Sequence, residues 1–189
     1  MPLRYSRLVE FVREVKPKLI VEVGTCRGAN ALPMLEEAGK YHRVHYIGFD
    51  LFDFSDATLH TMEHNVKPPM DISQAIAMFE HYKDKLNFAY ELVAGNTKET
   101  LHRKFIRADF AFIDGGHSYA TVKGDYEALK DTPLIILDDF YAVDEEGKIP
   151  SEEFCGVNKL VSEIGGKVLP ENDPVRGGGR VHLVEVRRS

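Results

Sequence analysis

The chain has 189 residues, 43% hydrophobic and 29% charged, a balance that excludes a disordered or low-complexity polymer. With 24 Lys and Arg against 30 Asp and Glu the formal charge is -6, so the positive footprint of a nucleic-acid binder is missing. No apolar run reaches the ~20 residues of a bilayer span, Met1 to Tyr5 is no apolar leader, and the two cysteines, Cys26 and Cys155, frame no disulfide scaffold. One domain over residues 1–189, a reducing cytoplasm, no membrane and small-molecule partners are the expectation.

In chain order, Leu8, Phe11, Val12 and Val15 recur at helical spacing and predict an amphipathic helix over 4–15, stopped by Pro17. The β-branched run Lys18 to Val23 predicts a strand, broken by the glycines of Gly24-Thr25-Cys26-Arg27-Gly28 before a helix from Ala29 to Ala38. Further strands are predicted at His45–Phe49, Phe88–Ala94, Asp109–Ile113 and Leu134–Leu137, with helices at 97–105 and 119–130. Asn96 with Glu99 reads as a capping box. Residues 53–86 are too long for one crossover helix, and Pro68-Pro69 divides them into two pieces, the second capped by Asp71 with Gln74. A helix near 157–164 precedes two strand-like runs, 167–170 and 180–186, joined by Gly177-Gly178-Gly179 as a closing hairpin. Strands alternating with helices predict a doubly wound α/β fold on a parallel sheet.

Ligands of such sheets bind beyond the carboxyl ends of the strands, near the point where strand order reverses. Here every predicted strand ends in polar or glycine residues: Glu22 and Gly24, Asp50, Gly95 and Asn96, Asp114, then Asp138 and Asp139. Turn-forming residues are ordinary at any one strand end. Five strands in succession point to one shared crevice.

The first loop reads G-x-x-x-G, not the G-x-G-x-x-G of a dinucleotide site, and Glu22 just before it opposes a pyrophosphate. A carboxylate there favours a ligand with positive charge beside its nucleoside, which S-adenosylmethionine carries on sulfur and nitrogen. Asp50 stands where an acid accepts ribose hydroxyls.

Val21 to Gly28, Asp50, Phe112-Ile113-Asp114-Gly115-Gly116-His117-Ser118-Tyr119 and Leu137-Asp138-Asp139-Phe140 together resemble the class I S-adenosylmethionine-dependent methyltransferases. Within that class they are most similar to the branch of the macrocin and novobiocin sugar O-methyltransferases. The resemblance runs from about Lys18 to the end of the chain. It implies a Rossmann-like, seven-stranded sheet with an antiparallel last strand, and a cofactor set of Glu22, Gly24, Thr25, Gly28, Asp50, Leu51, Asn96 and Asp114. A divalent metal, usually Mg2+, is implied on Asp114, Asp138 and Asp139, with a base or metal-site neighbour at His117, and His117 and Asp114 as the catalytic residues. Asn96 stands where many such enzymes have an acid. The long N-terminal extension of the sugar-modifying relatives is missing, so their acceptor class is not carried over.

Three carboxylates in one crevice repel one another, and a hard cation with oxygen ligands would relieve them while acidifying a bound hydroxyl. Neighbouring strand residues point to opposite faces, so Asp138 and Asp139 can share a site only where the chain leaves strand geometry. His117 lies at a helix start, where the macrodipole keeps the imidazole neutral. His60-Thr61-Met62-Glu63-His64 matches the zinc pattern H-x-x-E-H, but the prolines end that helix and no third-ligand helix follows. The expected activity is metal-assisted O-methylation of a small hydroxylated acceptor, with a neighbouring subunit as one way to complete the pocket. A nucleoside-binding regulatory protein without turnover is the second reading, and a nicotinamide-dependent oxidoreductase the third.

Overall fold

The computed structural model describes residues 3–54, 58, 71–149, 155–175 and 178–188. A 3-10 turn, Leu3–Tyr5, leads into α1 (Ser6–Val15), which left-handed Lys16 ends just ahead of Pro17. The helix starts at Ser6 and not at Arg4 because Asp173 accepts from the amides of Leu3 (3.0 Å) and Arg4 (3.3 Å), pinning that stretch as a turn. There follow β1 (Leu19–Val23), α2 (Ala31–Ala38), β2 (Val44–Asp50), α3 (Ile72–Tyr82), β3 (Phe88–Ala94), α4 (Thr97–Thr100) and β4 (Phe110–Ile113). The chain continues through α5 (Tyr119–Leu129), β5 (Leu134–Ala142), α6 (Gly156–Ile164), β6 (Lys167–Pro174) and β7 (Arg180–Arg187).

The strands form one seven-stranded sheet in the order β3-β2-β1-β4-β5-β7-β6. The first five are parallel to one another, and β7 runs antiparallel to both β5 and β6. This is the doubly wound, Rossmann-like fold that the alternation of elements predicts. Its order reverses between β1 and β4, where Glu22 lies opposite Gly48 on one side and Phe112 on the other.

Residue parity sorts the strand side chains into two cores. Ile20, Tyr46, Phe88, Phe110 and Phe112 pack with Leu8, Phe11, Val12, Met34, Leu35 and Phe79 from α1, α2 and α3. Val21, Val23, Phe49, Ala111, Ile113 and Leu137 pack on the other face with Leu101, Val122, Leu129, Val157 and Leu160. Fully burying a side chain of this size stabilises the fold by about 1.5–3 kcal/mol, so both faces are needed to fix the sheet.

Two elements depart from expectation for a physical reason. The helix expected over 97–105 stops at Thr100. Asn96 caps it, its side chain accepting from the Lys98 amide at 3.0 Å, but His102, Arg103 and Lys104 are polar and Phe105 stays 78% exposed, so the expected last turn buries no apolar side chain of its own. Conversely β5 does not end at Leu137; it runs to Ala142 through a register shift against β7 between Leu137 and Phe140. Asp71 caps α3 as expected, accepting from Ser73 at 2.7 Å. The first helical piece expected in 53–86, the Pro68-Pro69 break, the His60–His64 pattern and Gly177 lie outside the described residues.

Candidate active site

At the strand-order reversal, β1 and β4 end side by side. Gly24 donates to the Phe49 carbonyl and Asp114 to the Val23 carbonyl, both at 2.8 Å, so the two following loops leave the sheet together. Gly24 takes φ 88°, and a Cβ there would lie 1.8 Å from the Asp114 carbonyl oxygen. Only glycine permits that approach. Left-handed Cys26 (φ 45°) then turns the loop, its amide donating to Asp50 Oδ2 at 2.6 Å, and Gly28 closes it on the Thr25 carbonyl at 2.8 Å. The Gly24–Arg27 turn, Ala29, Asn30 and Asp114 enclose a cavity of about 300 Å³.

Glu22 is placed differently from its expected part. It is 1% exposed, hydrogen-bonded by the Tyr46 hydroxyl, and its Oε1 has no partner among the described residues. Burial pushes its carboxyl up to about 8, against the hydrogen bond from Tyr46. Glu22 reaches the cavity through Tyr46, whose hydroxyl is 3.1 Å from that of Thr25. Asp50 holds the loop, and its second oxygen is 3.3 Å from the Phe52 amide. A carboxylate has about four lone-pair sites, so Asp50 retains capacity for further hydroxyl donors. Of the expected cofactor residues, Gly24, Thr25 and Asp114 line the cavity; Glu22, Gly28, Asp50, Leu51 and Asn96 stand behind or beside it, with the Leu51 carbonyl accepting from Phe54 and Asn96 capping α4. The glycine cradle, the unsatisfied Glu22 oxygen and Asp50 fit an adenosyl ligand with a cationic end.

Asp114 belongs to this cavity and also to a second cluster. Carboxylate oxygens of Asp114, Asp138 and Asp139 lie within 4.8 Å of one another. Asp138 and Asp139 meet on one side because Asp139 adopts φ 62° at the β5 register shift, which breaks the strand alternation. His117, just ahead of the Ser118 cap of α5, places Nε2 2.9 Å from Asp139 Oδ2, and the Tyr141 hydroxyl donates to Asp139 Oδ1 at 3.2 Å. Burial raises the Asp139 carboxyl, but the hydrogen bond from His117, with Arg4 and Tyr141, outweighs it and holds it below the usual range.

Sequence reasoning missed the partners of Asp138. Its Oδ1 accepts from Arg4 Nε (2.9 Å) and the Asp139 amide (2.8 Å); its Oδ2 accepts from the Tyr5 hydroxyl (2.5 Å) and Arg4 Nη2 (3.1 Å). These four donors use the four lone-pair sites of the carboxylate. Asp114 Oδ2 lies 3.4 Å from both the Tyr5 hydroxyl and Asn30 Nδ2. The three acids thus have the oxygen chemistry for a hard divalent ion, but Asp138 as placed has no lone pair to give one. Nothing in residues 3–5 marks them for this place, since their contacts with Asp138 span 133 and 134 positions and that with Asp114 spans 109.

Residues 21–139 match the methyltransferase-domain family. No curated protein matches the chain. Among solved structures, cofactor-bound Rv0187 from MTB superposes with a TM-score of 0.65 at 13% identity, covering 97% of this chain and 79% of that one. The O-methyltransferase from Bacillus cereus in complex with SAH gives 0.62 at 14% identity, covering 97% and 80%. The O-methyltransferase TomG from Streptomyces achromogenes, involved in tomaymycin synthesis and in complex with SAM, gives 0.61 at 11%, covering 98% and 79%. At these identities the likeness is one of fold, and it agrees with the strand order. The match over the strands and loops that build both clusters, Val21 through Asp139, settles the family: the chain belongs to the methyltransferase-domain family and is a class I S-adenosylmethionine-dependent methyltransferase.

Proposed function

We propose that the enzyme transfers the methyl group to a hydroxyl oxygen of a small acceptor. The observation that carries this reading is Asp114, which lines the cofactor cavity and at the same time joins the crevice of Asp138 and Asp139, with His117 paired to Asp139. S-adenosylmethionine supplies an electrophilic methyl on a sulfonium. The loop of Gly24, Thr25 and Gly28 cradles the ligand, Asp50 receives ribose hydroxyls, and Glu22 acts on its cationic end through Tyr46 and Thr25. Leu51 and Asn96 belong to the flanking strand ends.

On the acceptor side, Asp139 fixes the His117 imidazole, and that ring takes the hydroxyl proton as the oxygen forms its bond to the methyl carbon and the carbon–sulfur bond breaks. Positioning and a matched base are the whole contribution asked of the protein. Magnesium on the three acids, implied by resemblance, has no step here because Arg4 and Tyr5 already engage Asp138. The test is mass-spectrometric detection of methyl transfer from S-adenosylmethionine to a panel of phenols, catechols and sugars. A methylated hydroxyl, formed about 100-fold more slowly by His117→Gln at unchanged S-adenosylhomocysteine affinity, is expected. Tight binding of the cofactor without transfer to any panel member would favour a regulatory protein instead.

A further inference from the structure

We propose that Arg4 is the resident cation of the acidic crevice: the N-terminal turn delivers a guanidinium to the carboxylate that would otherwise complete a divalent-ion site, and the enzyme works without a metal. The inference deepens the methyl-transfer reading and rests on it for its meaning in catalysis, but its geometry stands apart. Arg4 is held from two sides. Nε and Nη2 form a fork on Asp138, while Nη1 donates to Asp173 Oδ2 of β6 at 3.0 Å. The same Asp173 carboxylate anchors the amides of Leu3 and Arg4, so backbone and side chain are fixed by one group. The guanidinium also lies 4.2 Å from the Tyr5 ring centroid, and that ring packs edge-on to Phe112 in the core at 6.1 Å.

The Arg4 side chain is 12% exposed and that of Asp138 fully buried, so this is a desolvated pair and not a surface one. Planar bidentate pairing with carboxylate is the geometry guanidinium is built for, and an ion entering on Asp138 would have to evict it together with the Tyr5 hydroxyl. Tyr5 makes the arrangement directional: its hydroxyl accepts from Arg4 Nη2 at 2.7 Å and donates to Asp138, beside Asp114. Arg4 is therefore a positioning residue. It balances charge at Asp138 and sets the Tyr5 hydroxyl as a neutral donor that bridges Asp138 towards the cofactor cavity, leaving Asp139 to His117.

Manganese titration followed by electron paramagnetic resonance tests this on the intact chain, for wild type, Arg4→Met, Asp138→Asn, Asp173→Asn and Arg4→Met with Asp138→Asn. Wild type is expected to show no saturable manganese binding below millimolar concentration, and S-adenosylhomocysteine affinity is expected to be the same in chelator and in magnesium. Arg4→Met is expected to bind manganese at least about tenfold more tightly, and Asp173→Asn to move in the same direction; the added Asp138→Asn removes the gain. Micromolar manganese binding by wild type that Asp138→Asn abolishes would overturn the proposal, whether or not Arg4→Met folds. So would a folded Arg4→Met that gains no manganese affinity. Loss of S-adenosylhomocysteine binding alongside the expected manganese results would count against the methyl-transfer reading alone.

Discussion

The two halves of the crevice are built by different means. On the β1 and β2 side, the loop from Gly24 to Gly28 is shaped by its own backbone: a glycine that touches the Asp114 carbonyl, a left-handed Cys26, and a carboxylate 24 positions away on the next strand. On the β4 and β5 side, the acids are set by contacts between the ends of the chain: Arg4 with Asp138 across 134 positions, and with Asp173 across 169. The first half is a backbone device that tolerates no added atom. The second is a charge device, in which each group depends on the neutralisation of another. Perturbation should therefore affect cofactor binding at one and stability with metal response at the other.

The sharpest break is Gly24→Ala, whose Cβ would lie 1.8 Å from a backbone oxygen at a φ that alanine avoids. Calorimetry should show S-adenosylhomocysteine binding lost, with circular dichroism reporting whether the sheet persists; binding within twofold of wild type would deny the loop its part. Next, Arg4→Met leaves Asp138 buried without its cation and is expected to cost about 3–5 kcal/mol in urea unfolding. Combining it with Asp138→Asn should recover much of that loss, because the uncompensated charge is then gone. Equal losses in the single and double variants would mean that the pair is not electrostatically coupled.

A smaller effect follows from Glu22. Its folded carboxyl is pushed by burial to about 8, above the ordinary value of 4.5. Between those values the folded chain holds a proton that the unfolded chain has released, so stability falls as pH rises from 4.5 towards 8. A ligand with a cationic end favours the ionised form, and its binding should release a proton and tighten with rising pH over the same window. Both slopes should flatten in Glu22→Gln, measured by unfolding and by calorimetry in two buffers.

The smallest effect lies away from the crevice and serves as a control. Glu37, held down to about 2 mainly by hydrogen bonds from Arg13 and Lys40, contributes stability above pH 4.5 that is lost as pH falls towards 2. Arg13 and Lys40 are 57% and 58% exposed, so solvent screening limits this to about 0.5 kcal/mol. Glu37→Gln should remove that share without changing ligand affinity. A change in ligand affinity would show that Glu37 is tied to the crevice.

The same contrast explains what the sequence made legible. Strand ends were readable because a parallel sheet aligns them, which is why Gly24, Asp50, Asp114, Asp138 and Asp139 could be named from their positions. Even the demand that Asp138 and Asp139 leave strand geometry was implicit in strand alternation, and Asp139 meets it at φ 62°. Tyr46 behind Glu22, and Arg4 and Tyr5 on Asp138, were not readable. A residue of β2 that looks like core and a leader that looks like the start of an amphipathic helix acquire their parts only through tertiary contact. Three converging acids are the donors a divalent ion takes, and local spacing carries no sign of the guanidinium that engages one of them.

The most direct measurement of the central claim is calorimetric titration of the wild-type chain, in chelator, with S-adenosylhomocysteine and in parallel with NAD. A single saturable site for S-adenosylhomocysteine, weakened by Asp50→Ala, and no NAD binding is the predicted result. Saturable NAD binding with no heat from S-adenosylhomocysteine would contradict it.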